Sequence, residues 1–163
     1  MFLSSCRNVD PELNFYIATS GQYSLPANTV VNVPLSDTIA NIATNSQAIF
    51  SNNNTRADLL SEITLSNLSL ELINPIDGNF NFVEAITVYI NAEGLPEKQI
   101  ANIVEPDPNV RQIFLQINGA DLQDYLIKSK YSMRVVTITR AFLLNAVDIE
   151  LNSRFLVKAK PLD

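Results

Sequence analysis

The sequence predicts an all-β protein: a two-layer antiparallel sandwich, immunoglobulin-like or jelly-roll, with one or two short helices. Three observations carry this expectation. From Val147 to Ala159 apolar residues recur at every second position (Val147, Ile149, Leu151, Phe155, Val157), against Asp148, Glu150, Asn152, Arg154 and Lys158 between them, the period of a strand with one buried face. Shorter alternating runs fill the rest of the chain, separated by Pro, Gly and Asn turn signals. Finally, the chain has 163 residues, 47% hydrophobic, enough for one sizeable core without disulfides, while no apolar run reaches the roughly 18 residues of a membrane-spanning helix.

Taken in order, Leu13, Phe15 and Ile17 open the first strand, Gly21 and Pro26 punctuate the next region, and Thr29–Val33 is a β-branched run ended by Pro34. Residues 35–54, rich in Asn, Ser, Thr and Ala, read as a long loop or an irregular edge strand. Thr55-Arg56-Ala57-Asp58 has the spacing of an N-capping box, predicting one or two helical turns through Leu59, Leu60 and Ile63. Ile63 and Leu65 alternate in one phase and Leu68, Leu70 and Leu72 in the other, so a β-bulge is expected near Ser66-Asn67. That strand stops at Asn74-Pro75, and Asp77-Gly78-Asn79 is a turn.

Phe80, Phe82, Ile86, Val88 and Ile90 make two strands, or one kinked near Glu84. Gly94-Leu95-Pro96 turns the chain, Ile100–Val104 pairs briefly, and Glu105–Asn109 is a stiff acidic connection. Ile113, Leu115 and Ile117 predict a strand, and Asp121 caps a short helix bearing Leu122, Tyr125 and Leu126 that plugs an end of the sandwich. Tyr131–Arg140 has apolar residues on both faces, as a central strand covered on both sides does. The expected organisation is therefore a remnant at 1–5, a tether at 6–12 and one sandwich over 13–163.

Composition narrows the function. The net charge is −6 and the eleven Lys and Arg are scattered, which speaks against a nucleic-acid partner. With no His, Ser-His-Asp and Cys-His catalysis and the usual zinc sites are removed. Four glycines build no phosphate-cradling loop, so no nucleotide cofactor is expected, and none of another kind. The absence of Trp weakens a carbohydrate module by removing the best sugar-stacking platform.

The run Leu3-Ser4-Ser5-Cys6, holding the only cysteine of the chain, resembles the lipobox of bacterial lipoproteins. The resemblance implies that Cys6 is lipidated and becomes the mature N-terminus, with residues 1–5 the end of a truncated or mis-started signal sequence. Acyl chains there, at about 0.8 kcal/mol per buried methylene, would anchor the protein in a membrane. The expected place is the cell envelope, at the outer membrane or periplasmic face, with an envelope protein or a glycan as partner. The plain alternative is a free thiol at a chain end. Arg7–Pro11 would then be the tether.

Candidate chemistry is confined to carboxylates. Glu93 with Glu97, Glu105 with Asp107, and Asp121 with Asp124 are pairs that a Ca²⁺ site or a carboxylate-dependent glycan-acting enzyme would use; turn, loop and cap roles are the plainer expectation, and a non-enzyme is expected. Tyr16, Tyr23, Tyr89, Tyr125 and Tyr131 would line a ligand groove if they faced outward together, or else fill the rim of the core. Arg154, Lys158 and Lys160 would meet an acidic partner or lipid headgroups, or blunt an exposed sheet edge. Leu68–Pro75, an alternating strand ending in Asn-Pro, is similar to the LEA-type and WHy β-sandwich domains, which implies a protective or interactive role.

Overall fold

In the computed structural model, which describes residues 11–163, the period-two runs become nine strands: β1 (Leu13–Leu25), β2 (Pro34–Ala43), β3 (Leu60–Asn74), β4 (Val83–Asn91), β5 (Lys98–Val104), β6 (Gln112–Phe114), β7 (Gln116–Ile117), β8 (Lys130–Thr139) and β9 (Val147–Ala159). Two short helices join them, α1 (Ser46–Asn52) and α2 (Gln123–Leu126), and a 3₁₀ turn spans Ala57–Leu59. One sheet has four strands in the order β1-β9-β3-β6, the other five in the order β2-β8-β4-β5-β7. Consecutive strands β1 and β2 lie in different sheets, while β1 pairs with β9 from Leu13↔Ala159 to Leu25↔Val147. That is jelly-roll topology, and it decides against the immunoglobulin-like alternative.

β9 is the centre of its sheet, flanked by β1 and β3. Its apolar side turns inward: Ile149, Phe155 and Val157 are completely buried, each contributing roughly 1.5–3 kcal/mol before chain entropy. From the other sheet Tyr131 on β8 meets Phe155 edge-on, ring centres 6.0 Å apart, a favoured aromatic geometry. The Tyr131 hydroxyl is hydrogen-bonded to that of Thr19 on β1 at 2.6 Å, so one side chain ties three strands across the layers.

The expected bulge is present: the β3–β9 register slips between Leu65 and Asn67, which brings both Leu65 and Leu68 inside. A second slip, between Val83 and Ala85, makes β4 one strand kinked at Glu84. α2 leans on both sheets, its buried Tyr125 and Leu126 closing one end.

Several expectations need correction. Thr29–Val33 is not a strand; Asn32 has φ 60° and its amide is bonded to Thr139 O, so the β-branched run crosses between the sheets. Residues 35–54 are β2 and then α1; β2 is an edge strand with a register slip between Ile39 and Ile42, but the helix was not expected. Thr55 caps nothing: its hydroxyl donates to Lys160 O at 2.6 Å, and the helical turn is the single 3₁₀ turn, after which Leu60 and Ile63 belong to β3. Phe80 and Phe82 are buried in the loop before β4. Ile113, Leu115 and Ile117 do not share one strand, because the chain changes sheet at Leu115, with β6 pairing β3 and β7 pairing β5.

On β8 only one face is fully covered; Val136 and Ile138 are half-buried, as expected of an antiparallel sheet in a two-layer fold. Gly21 does not end β1 but sits within it. A Cβ there would lie 2.5 Å from Ile39 Cγ2, so glycine is the residue that lets β1 and β2 approach.

Candidate functional site

The strand register sorts the connections into two ends. At one, β1 begins, β9 ends at Ala159, and α1 and α2 are found. At the other lie the loops 26–33, 75–82, 105–111 and 140–146. The loops of this second end hold five of the large apolar side chains that the fold leaves outside, among them the two most exposed, Ile76 (85%) and Leu144 (80%), with Phe142 (59%), Val30 (52%) and Val33. A groove of about 300 Å³ runs past Phe142 and Leu144, lined on its apolar side by Leu72, Phe82 and Leu143 and on its polar side by Asp77, Asn79, Asn81 and Asn145. Apolar side chains gathered at one place on a surface mark contact sites.

The loops are held in place by the backbone. Arg111 donates from its guanidinium to the carbonyl oxygens of Pro75 (3.2 Å), Gly78 (3.4 Å), Ile76 and Leu72, so one planar fork shapes the turn that raises Ile76. Its own carbonyl accepts from Leu72 N at 2.9 Å. Gly78 packs against Leu72, and a Cβ there would stand 2.9 Å from Leu72 Cδ2. Across the groove Asn28 and Leu143 exchange two backbone bonds of 2.8 Å. Arg140 Nε donates to Asn81 O at 3.0 Å, fastening the 140–146 loop to the 75–82 loop. The surface is therefore preformed, which lowers the ordering cost of binding.

The structure disperses the residues that the sequence singles out. Cys6 and most of the tether lie outside the described residues. Pro11, the first described residue, lines a groove with Arg56, Leu59, Lys160 and Leu162, at the end opposite the apolar loops. Glu97 on the β4–β5 loop accepts from Asn91 Nδ2 (2.8 Å) and Arg134 Nε (3.0 Å), and the Arg134 guanidinium also lies 4.3 Å from the Tyr89 ring centre. Hydrogen bonds from Arg134 and then Asn91 hold the Glu97 carboxyl down at about 2. Glu93 lines a neighbouring groove with Asn91 and Lys128.

Asp107 accepts from Asn109 N at 2.9 Å, at the other end of the molecule from Glu97. Asp121 Oδ1 accepts from Ile63 N (3.2 Å) and Gln123 N (3.0 Å), pinning the start of α2 to β3, and Asp124 is in the first turn of α2. Among the described residues no group of three or more Asp or Glu side chains converges where a metal ion would sit.

The tyrosines form no common groove. Tyr23, Tyr125 and Tyr131 are buried, with the Tyr125 hydroxyl donating to Pro96 O at 2.6 Å. Tyr16 is exposed beneath Arg154, 3.7 Å from ring centre to guanidinium carbon. Arg154 and Lys158 do not blunt a sheet edge, because β9 is interior; Lys158 pairs with Glu62 at 3.5 Å. The apolar loop end is hidden in the sequence because Phe142, Leu143 and Leu144 pass for a bend between strands. The usable signal is an apolar residue inside a turn, Ile76 between Pro75 and Asp77.

Strand order and loop end together define a jelly-roll β-sandwich with a preformed apolar surface at one end, an architecture compatible with a structural or binding module. No family model matches the sequence, and no curated protein does either. Among solved structures, a 60-mer BFDV capsid protein is similar in fold, with a TM-score of 0.50 at 11% identity over 94% of this chain and 96% of that one. FLHE superposes with a TM-score of 0.37 at 12% identity, over 90% of this chain and 97% of that one. A CBM32 module of Clostridium perfringens, in complex with GalNAc-β-1,3-galactose, gives 0.38 at 9% identity over 82% and 94%. At 11% identity the likeness to the capsid protein is one of fold alone.

Proposed function

We propose that this chain is a non-enzymatic lipoprotein of the cell envelope, anchored through lipid on Cys6 at the outer membrane or periplasmic face, whose sandwich serves as a binding module. The observation that carries the binding role is the preformed apolar loop end, with Ile76, Phe142 and Leu144 held outward by Arg111, Arg140 and the Asn28–Leu143 bridge. Its apolar character favours an envelope protein over a glycan as partner. The lipobox-like Leu3-Ser4-Ser5-Cys6 supports the anchor, and a chain that comes into the sandwich at Pro11 leaves the apolar loops free at the opposite end. Glu97, Asp107 and Asp121 hold structural hydrogen bonds, in keeping with a role other than catalysis.

The deciding experiment is the intact mass of the N-terminal peptide from membrane and soluble fractions of the native host. Diacylglycerol on Cys6 with residues 1–5 missing supports the anchor; an unmodified chain beginning at Met1 in the soluble fraction overturns it. The binding role is tested separately by immobilising wild type and Ile76→Ser/Phe142→Ser/Leu144→Ser and comparing retention of solubilised envelope proteins. Equal retention overturns that part.

A further inference from the structure

Each sheet of this sandwich has two edges, and three of the four are blunted. β6 and β7 are only three and two residues long. β2 opens with Pro34, carries Asp37 and is broken by its register slip between Ile39 and Ile42. These are the devices that keep sheet edges from pairing with other chains.

β1 has none of them. It is thirteen residues long, Leu13-Asn-Phe-Tyr-Ile-Ala-Thr-Ser-Gly-Gln-Tyr-Ser-Leu25, without one charged residue or proline. Its register with β9 is unbroken from end to end, and among the described residues no other strand pairs with it. A long, regular, uncharged edge is a template for strand addition.

We propose that β1 is a self-association edge, which pairs antiparallel with β1 of a second copy to join two four-stranded sheets into one of eight. Among the sheet edges of the described residues only β1 is long and regular enough to match β1, so the contact is isologous and two-fold. Charge selects the same occupant. With a net charge of −6, two copies approach with least repulsion where no carboxylates meet.

The register that pairs all thirteen residues sets Thr19 opposite itself, Ala18 opposite Ser20, and Tyr16 opposite Gln22. Arg154 lies over Tyr16, while Gln22 Nε2 donates to Glu150 at 3.2 Å. Pairing therefore carries Arg154 of each copy to the row that ends in Glu150 of the other, twice by symmetry.

The test is the mass in solution of the unacylated full chain, by light scattering across a concentration series. Wild type is expected to reach twice 18.1 kDa. Ala18→Lys/Ser20→Lys and Ala18→Glu/Ser20→Glu, on the exposed face of β1, set like charges opposite each other and are each expected to be monomeric with unchanged far-UV circular dichroism. Mixing the two is expected to restore a 1:1 dimer. A monomeric wild type at every concentration, charged variants that remain dimeric, or a mixture that stays monomeric overturns the proposal. Hydrogen exchange in wild type gives a reading that needs no variant: β1 amides not bonded to β9 gain protection as concentration rises, and their free exchange throughout would also overturn it.

Discussion

Ile39 on β2 occupies the space that a side chain on Gly21 of β1 would need, its Cγ2 standing 2.5 Å from where that Cβ would be. Because Cγ2 is carried directly on the branched Cβ of Ile39, no flexible tail is present to swing aside. Gly21→Ala must then part the two strands, at a cost of about 1–3 kcal/mol. Thermal denaturation is expected to show a melting temperature lower by several degrees. Adding Ile39→Ala to that variant should recover part of the loss, so a double-mutant cycle would give a clear coupling between the two sites.

Phe155 and Tyr131 are the second predicted sensitivity. Phe155→Ala removes a completely buried ring from the seam between the layers and is expected to cost about 3–5 kcal/mol in urea unfolding.

Tyr131 also sets an alkaline limit. Burial pushes its hydroxyl up from 10.0 to about 12, opposed in part by its bond to Thr19. The unfolded chain releases that proton first, so the stability due to the neutral hydroxyl is present below pH 10 and is lost as pH rises from 10 through 12. Tyr131→Phe is expected to lower stability at pH 7 by about 1 kcal/mol through the missing hydrogen bond. It should also flatten the decline between pH 10 and 12, measured by chemical unfolding at each pH.

Glu97 acts at the acid end. Its carboxyl is held at about 2 against an ordinary 4.5, chiefly by the hydrogen bond from Arg134. A depressed pKa means that the contribution of the ion pair is present above pH 4.5 and disappears as pH falls from 4.5 through 2. Both side chains are about one-third exposed, so water and salt screen the pair and its effect on stability is small. Carboxyl NMR titration is expected to give Glu97 a midpoint of about 2, and Arg134→Gln to bring it back toward the ordinary range. Glu97→Gln should weaken the dependence of unfolding on pH below 4.5.

Asp121 links α2 to β3 through two amides. Asp121→Ala is expected to cost about 0.5–2 kcal/mol, and Asp121→Asn, which keeps the accepting oxygen, much less. Amide exchange at Gln123 and Ile63 would rise in the alanine variant alone.

What the sequence disclosed was whatever period and turn chemistry encode locally. The slip in apolar phase at Ser66-Asn67 and the stop at Asn74-Pro75 rest on residues within a few positions of one another, and both are in the fold; the helix expected after Asp121 is also there, but its N-cap is Leu122, and Asp121 stands one residue before it, accepting from Gln123 N and Ile63 N. Which strands neighbour each other is decided at long range, so local period is compatible with two sandwich topologies, and the pairing of β1 with β9 separates them. Leu115 illustrates the limit: alternation passes straight through it, yet the chain changes sheet there because the buried side of the sandwich continues around the edge. The apolar loop end was missed for a related reason. Exposure is a property of the assembled loops, and Phe142 reads the same in sequence whether it faces the core or the solvent.

The position of β9 has a consequence for how this molecule comes into being. The strand that holds β1 and β3 together, from Leu13↔Ala159 on one side to Leu60↔Ala159 on the other, is the last part of the described chain to be synthesised. Until it arrives, one sheet is two separated pieces with their buried faces open, and no early local structure substitutes for it. A chain that lacked β9 would lose the middle of this sheet and not its margin.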